Sequence, residues 1–222
     1  RMIRDESELI FSVNEAIKNS RSKNCILEEY MEGPEFSIDA LVYDGTMTIT
    51  GFADRHIFFP PYFIEMGHTM PTRISKDKYN ELIKTFAFGV KALGLTTGAA
   101  KADIKLTKNG PMIGEIAARL SGGYMSGWTY PYSSDLNLTE QALLIALNKE
   151  PQKLIQNRVS IDYNPSELCK NMQKPYELFE VPSVRTSAER AWISIPGVIQ
   201  NIQGYEIAKE IQDINDVLPR NL

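Results

Sequence analysis

The chain has 222 residues, 43% of them hydrophobic and 23% charged, which is enough apolar content to bury a core in one or two domains. A net charge of −4 leaves no electrostatic footprint for nucleic acid or an anionic membrane, and no apolar run approaches a membrane span. Two histidines, His56 and His68, make a zinc site or a histidine-based triad a poor expectation. The two distant cysteines, Cys25 and Cys169, are expected as free thiols of a cytoplasmic protein without a signal peptide.

In chain order, Asp5 and Glu8 have capping-box spacing ahead of Leu9, Val13, Ala16 and Ile17, which predicts an amphipathic helix. ILEEYMEGPEFSID, residues 26–39, is an extended apolar run that turns at Gly33-Pro34 and presents Glu35 as an acceptor pair. FSIDALVYDG and TMTITGFADRHIF alternate and are β-branched around Asp44-Gly45, so they predict an antiparallel pair ending near Asp54-Arg55-His56. PPYFIEMGHTMPT reads as a proline- and glycine-punctuated loop carrying Glu65 and His68. Residues 77–93 place Tyr79, Leu82, Ile83, Phe86, Val90 and Leu93 at helical spacing, a stripe for core packing.

The segment AKADIKLTKNGPMIGEIAARL predicts a β-hairpin. A three-residue loop, Lys108 to Gly110, would let Gly110 take a positive φ and would set Thr107 against Pro111 and Asp103 against Glu115. Alternation then collects Asp103, Lys105, Thr107, Ile113, Glu115, Ala117 and Arg119 on one face. The other face, Ala102, Ile104, Leu106, Met112, Gly114, Ile116 and Ala118, becomes the core side. A two-residue loop would put the two acids on opposite faces. Opposed carboxylates repel, and a hard cation such as Mg²⁺ would reverse the sign, with Arg119 available to grip a phosphate or carboxylate. A solvated charged face is the alternative, and for such a hairpin alone it is the more ordinary one.

After Arg119, Gly122 and Gly123 could admit a substrate to the backbone. Tyr124, Trp128 and Tyr130 are expected either to wall a pocket or to form a packed lid. Asn137 and Glu140 cap a helix that ends near Lys149-Glu150, and Pro151 marks the expected boundary between residues 1–150 and 151–222. The second part reads as a small α+β piece with strand-like VSIDY, ELFEVP and ERAWISIPG and a helix over residues 205–211.

Two of these segments together resemble the ATP-grasp superfamily. ADIKLTKNGPMIGEIAARL is similar to its metal-binding hairpin, and ILEEYMEGPEFSID to its adenine-binding linker. The resemblance covers roughly residues 1–148. It implies an α+β fold, the C-terminal part of an ATP-grasp domain with an antiparallel sheet and flanking helices, followed by an appendage like that of carbamoyl-phosphate-synthase-like ligases. By the same resemblance Asp103 and Glu115 are metal ligands, and Arg119, Arg55 and His68 are candidate catalytic residues. Glu28, Glu29, Met31, Glu35 and Lys105 are then nucleotide-binding residues. The family's asparagine, a further magnesium ligand, falls here at Ala117. The implied cofactors are ATP and Mg²⁺, with Mn²⁺ as a substitute. The implied partners are small-molecule carboxylate and amine substrates, and a homodimer is compatible with them. The family's phosphate-binding lysine and glycine-rich loop are expected ahead of Arg1, so the chain is expected to be a fragment that is inactive alone. A non-catalytic nucleotide-binding or scaffold fragment and a simple kinase are the other readings.

Overall fold

A computed structural model of the protein describes residues 1–162, 176–193 and 197–218. Strands β1 (Glu35–Tyr43) and β2 (Thr46–Phe58) pair antiparallel as the alternation predicts. Their turn holds Asp44 at φ 48° and Gly45 at φ 72°, the two successive positive values that suit the twist of a tight hairpin. β3 (Ile64–Met70) pairs with the far half of β2, β4 (Gly98–Thr107) with β1, and β5 (Gly110–Ala117) with β4. β6 (Val159–Ser160), β7 (Glu177–Glu180) and β8 (Ser187–Arg190) complete the sheet. Its main order is β5-β4-β1-β2-β3-β8, with β7 parallel to the first half of β2.

One face of the sheet is closed by helix α2 (Lys76–Ala92), whose Leu82, Ile83, Phe86, Ala87 and Val90 pack on Phe36, Ile38, Ala40, Val42, Ala102 and Ile104. Leu93, expected in that stripe, is exposed just past the helix end. Half of the other face is covered too. There a π-turn (Met125–Thr129) leads into α3 (Tyr130–Ser134) and α4 (Leu138–Ala146), and Met125, Tyr130, Leu136, Leu138 and Ile145 cluster with Leu41 and Ala53. Tyr130 lies so close to β2 that a Cβ at Gly51 would overlap its ring. It is core, while Trp128 is partly exposed and meets Tyr124 edge-on at 5.2 Å. The predicted cap of α4 is present, with Asn137 Oδ1 accepting from Glu140 N at 3.0 Å.

At the N-terminus, Asp5 caps a short 3₁₀ turn (Glu6–Glu8) rather than the helix itself, and α1 runs Leu9–Asn19. Three further expectations change. The stretch read as a proline-punctuated loop contains β3, because β2 continues through Phe58 and offers it an edge. Compact units run Arg1–Ala191 and Trp192–Leu222, so the strands after Pro151 and α5 (Gln152–Asn157) belong with the main sheet rather than to a separate piece. The second unit contains α6 (Tyr205–Lys209), with Lys209 Nζ over the Tyr205 ring at 3.9 Å. VSIDY and ERAWISIPG lie partly, and Cys169 wholly, outside the described residues; Cys25 is a free thiol.

The third change concerns the hairpin. Thr107 pairs with Gly110, so only Lys108 and Asn109 form the loop, although Gly110 does take a positive φ of 103°. Such a loop should separate the acids. It does not, because the register shifts between Asp103 and Ile104: Ile104 faces Ile113 and Asp103 faces Glu115, leaving Gly114 unpaired as a bulge. The bulge exchanges the sides of the residues before it. Ile113 turns to α2, where it and Ile116 lie against Gly89, and Met112 sits opposite Lys105 on the acids' face.

Candidate functional site

The other half of the sheet face that holds α3 and α4 carries charged and titratable side chains from adjacent strands. β1 supplies Glu35, β2 Arg55, β3 Glu65 and His68, β4 Lys101, Asp103 and Lys105, and β5 Glu115. The cross-strand pairs Ser37–Asp103, Asp103–Glu115 and Arg55–His68 hold these side chains on one surface. Arg55 is the hub. It is paired with Glu35, donates through Nε to Glu65 at 3.1 Å and also through Nη2 to Glu65, and reaches Asp103 at 3.1 Å. Burial alone would lower the Arg55 pKa, but Asp103, Glu65 and Glu35 outweigh it and the net shift is upward. Glu65 shows the converse: burial raises its pKa, and the Arg55 hydrogen bond and nearby cations carry it below the ordinary value.

The two proposed metal ligands face one another as expected, and a cation already stands between them. Lys101 Nζ is paired with Asp103 and lies 3.7 Å from Glu115 Oε1. Lys101 is two residues before Asp103, so simple alternation would have placed it on this face. Arg119 is half-exposed and lies 3.6 Å from the same Glu115 oxygen. Asp103 Oδ1 is buried without a hydrogen-bond partner, while Glu115 is about half-exposed. An orphaned hard oxygen beside an accessible carboxylate fits a divalent cation with oxygen ligands. The geometry provides two protein carboxylates and Lys101, with Ala117 directly opposite Lys101.

The linker crosses the end of this surface. Residues 24–34 lie outside regular secondary structure and bend at Gly33, with Glu28 and Glu29 exposed and Met31 partly buried against Gly114. Pro34 O accepts from Leu106 N at 3.0 Å, and a Cβ on Gly33 would strike the Leu106 carbonyl. That close passage brings Tyr30 under Lys105 Nζ at 5.1 Å, and Lys105 in turn reaches Glu35 at 3.3 Å. The structure therefore gathers Met31, Glu35, Lys105, Arg55, Asp103, Glu115 and Arg119 around one open surface, while Glu28 and Glu29 are exposed on the linker.

Two further acids were not legible as site residues. Asp39 is buried where the covered and open halves meet. It accepts from Ser121 N at 3.0 Å, from Ser126 Oγ at 2.7 Å and from Ser121 Oγ, and so anchors the glycine-rich segment after Arg119. Burial raises its pKa despite these donors. Glu189, on β8, lies opposite His68 across the β3–β8 ladder. One carboxylate oxygen each from Glu65 and Glu189 and a His68 ring nitrogen fall within 4.8 Å of one another. With Glu65 already held by two donors of Arg55, this trio reads as an imidazole held between acids.

A model of the ATP-grasp domain matches residues 3–127. This chain belongs to the ATP-grasp family. Carnosine synthase 1 of Gallus gallus is 30% identical over 127 residues, covering 57% of this chain and 13% of that protein. The Homo sapiens carnosine synthase 1 is 28% identical over the same length, covering 57% and 15%. The chain thus spans less than a sixth of the length of these curated relatives. Among solved structures, L-amino acid ligase from Bacillus licheniformis superposes with a TM-score of 0.73 at 22% identity, over 95% of this chain and 47% of that one. The biotin carboxylase domain of Hydrogenobacter thermophilus 2-oxoglutarate carboxylase, in complex with MgADP and bicarbonate, gives a TM-score of 0.53 at 19% identity, over 68% and 34%. These structural likenesses establish the fold: an antiparallel sheet with flanking helices, in the ATP-grasp manner.

Proposed function

We propose that this chain forms part of an ATP-dependent carboxylate–amine ligase working through an acyl phosphate. The observation that carries the reading is the opposed pair Asp103–Glu115, with one orphaned oxygen, on an open surface bordered by the linker. ATP-grasp membership and the MgADP held by a neighbour of the same fold support it. A divalent cation bound by the two carboxylates supplies charge neutralisation to the phosphate oxygens.

The chain's own residues do the rest. The backbone of residues 26–31, outside helix and strand, offers its N–H and C=O groups to an adenine edge, with Glu28, Glu29 and Met31 flanking it, and Glu35 accepts from the ribose hydroxyls. Lys105 lies between linker and hairpin and directs its ammonium at the nucleotide side of the surface. Arg119, half-exposed beside Glu115, binds the substrate carboxylate or its acyl phosphate through paired N–H groups. Arg55 keeps the acids of three strands in place and lends positive potential to the phosphate region. The carboxylate–phosphate anhydride then reacts with an amine, forming the C–N bond as the bond to phosphate oxygen breaks.

The test is trapping with hydroxylamine. The full-length enzyme that carries this chain is incubated with Mg-ATP and a panel of amino and carboxylic acids, and hydroxamate and ADP are quantified. Hydroxamate formation that depends on one acid and vanishes in Glu115→Gln supports the reading. ADP release unchanged in Glu115→Gln would sink it.

A further inference from the structure

His68 is buried in the middle of β3, and both of its ring nitrogens face carboxylates. Nδ1 is 2.6 Å from Glu189 Oε1, while Nε2 is 3.7 Å from Glu65 Oε2, beyond hydrogen-bond range. The placement of Glu189 is built into the backbone. His68 and Glu189 are register partners, and the neighbouring Gly67, at φ 143°, admits the Glu189 carbonyl where any Cβ would collide with it. Arg190 donates to the His68 carbonyl at 2.9 Å and to Thr69 Oγ1 at 3.0 Å, and Ala191 N donates to Met66 O at 2.9 Å, so β8 is fastened on both sides of the contact. A carboxylate can only accept, so the single ring proton of neutral His68 belongs on Nδ1. The Nε2 lone pair is then directed toward Glu65 and the open half of the surface. Among the described residues, Arg55 and His56 from β2, Glu65 from β3, and Glu189 and Arg190 from β8 are titratable or charged groups near the ring.

We propose that Glu189 is a positioning residue that holds His68 as its Nδ1–H tautomer and so makes Nε2 a proton acceptor for the incoming nucleophile. The identity of that nucleophile rests on the ligase reading above. An ammonium group must lose a proton before it can attack an acyl phosphate. Nε2 takes that proton, the electron pair left on nitrogen forms the new C–N bond as phosphate departs with the electrons of the C–O bond, and the departing phosphate takes the second N–H proton, leaving the neutral amide. Glu189 and Glu65 stabilise the imidazolium that results, much as a buried acid orients and supports a catalytic imidazole elsewhere.

With only two histidines in the chain, ¹⁵N–¹H long-range correlation of the imidazole rings tests this directly, with His56→Gln assigning the signals. The expected result is the Nδ1–H pattern for neutral His68 in the wild-type protein and its loss in Glu189→Met, where Nε2–H takes over. Glu189→Gln, which keeps an acceptor oxygen and disturbs packing least, should retain the Nδ1–H pattern. A wild-type Nε2–H pattern overturns the proposal without recourse to any variant, as does a pattern that Glu189→Met leaves unmoved. The readout needs no turnover, so failure of the trapping experiment with the Nδ1–H pattern intact would remove the ligase reading and leave the role of Glu189 standing.

Discussion

One face of the sheet is divided between two regimes on the same strands. Along β1 the residues pointing to that face are Glu35, Ser37, Asp39 and Leu41, passing from an ion-paired acid through a buried acid to a fully buried aliphatic. Under the helices, Leu41, Ala53, Met125 and Tyr130 make a dry cluster. Beyond Asp39, charges from five strands face outward, with Arg55 and Lys101 holding acids that would otherwise repel. Folding stability should therefore reside in the covered half and ligand binding in the open half, with Asp39 joining the two.

The largest effect that would break this division is a stability loss of equal size from either half. Tyr130→Ala should cost about 3–5 kcal/mol in denaturant unfolding, the usual range for emptying a buried aromatic site. Glu115→Gln should stay within about 0.5 kcal/mol, since the side chain is half-exposed. Asp39→Ala comes next. It leaves the Ser121 amide and two serine hydroxyls without their acceptor and should cost roughly 1.5–3 kcal/mol, with faster amide exchange confined to residues 121–126.

A third contrast separates two glycines that look alike in sequence. Gly51→Ala drives a methyl into the Tyr130 ring and should destabilise by about 1–3 kcal/mol. Gly89→Ala meets only the ends of the Ile113 and Ile116 side chains, which can move, and gains up to about 1 kcal/mol of helix propensity, so its net effect should be near zero. The smallest effect is a pH dependence. The folded pKa of Glu65 lies below its ordinary value of 4.5, so its stabilisation is fully present above that pH and is lost as pH falls through the folded value. In acid titrations monitored by unfolding, Glu65→Gln should flatten stability in that window and leave the neutral plateau's shape unchanged. His56, whose pKa is lowered by burial and by Arg190, adds a separate loss as pH drops below 6.5.

Most of the fold was legible because its signals were local: the Asp44-Gly45 turn, the stripe of α2, and the cap at Asn137. What escaped depended on partners far away in the chain. β3 looked like a loop because its strand character comes from the extended edge of β2, and β8 begins two residues before the strand-like ERAWISIPG that overlaps it. The opposition of Asp103 and Glu115 was read correctly from an incorrect loop, since the Gly114 bulge compensated for the shorter turn. Gly114 was visible, but an unpaired glycine and a packed one look the same in sequence. Lys101 could have been found by alternation from Asp103, whereas Glu65 and Glu189 become site residues only once β3 and β8 are paired.

The central claim is that the bulged hairpin brings two carboxylates together to bind a divalent cation with a nucleotide. With Mn²⁺ as the paramagnetic probe, water-proton relaxation on titrating Mn²⁺ with ATP into the protein counts the bound ion directly. The account predicts a ternary complex in the wild type that Glu115→Gln and Asp103→Asn each weaken by at least about tenfold, with unfolding curves within about 0.5 kcal/mol for Glu115→Gln. Equal Mn²⁺–nucleotide binding by the wild type and both variants would contradict it.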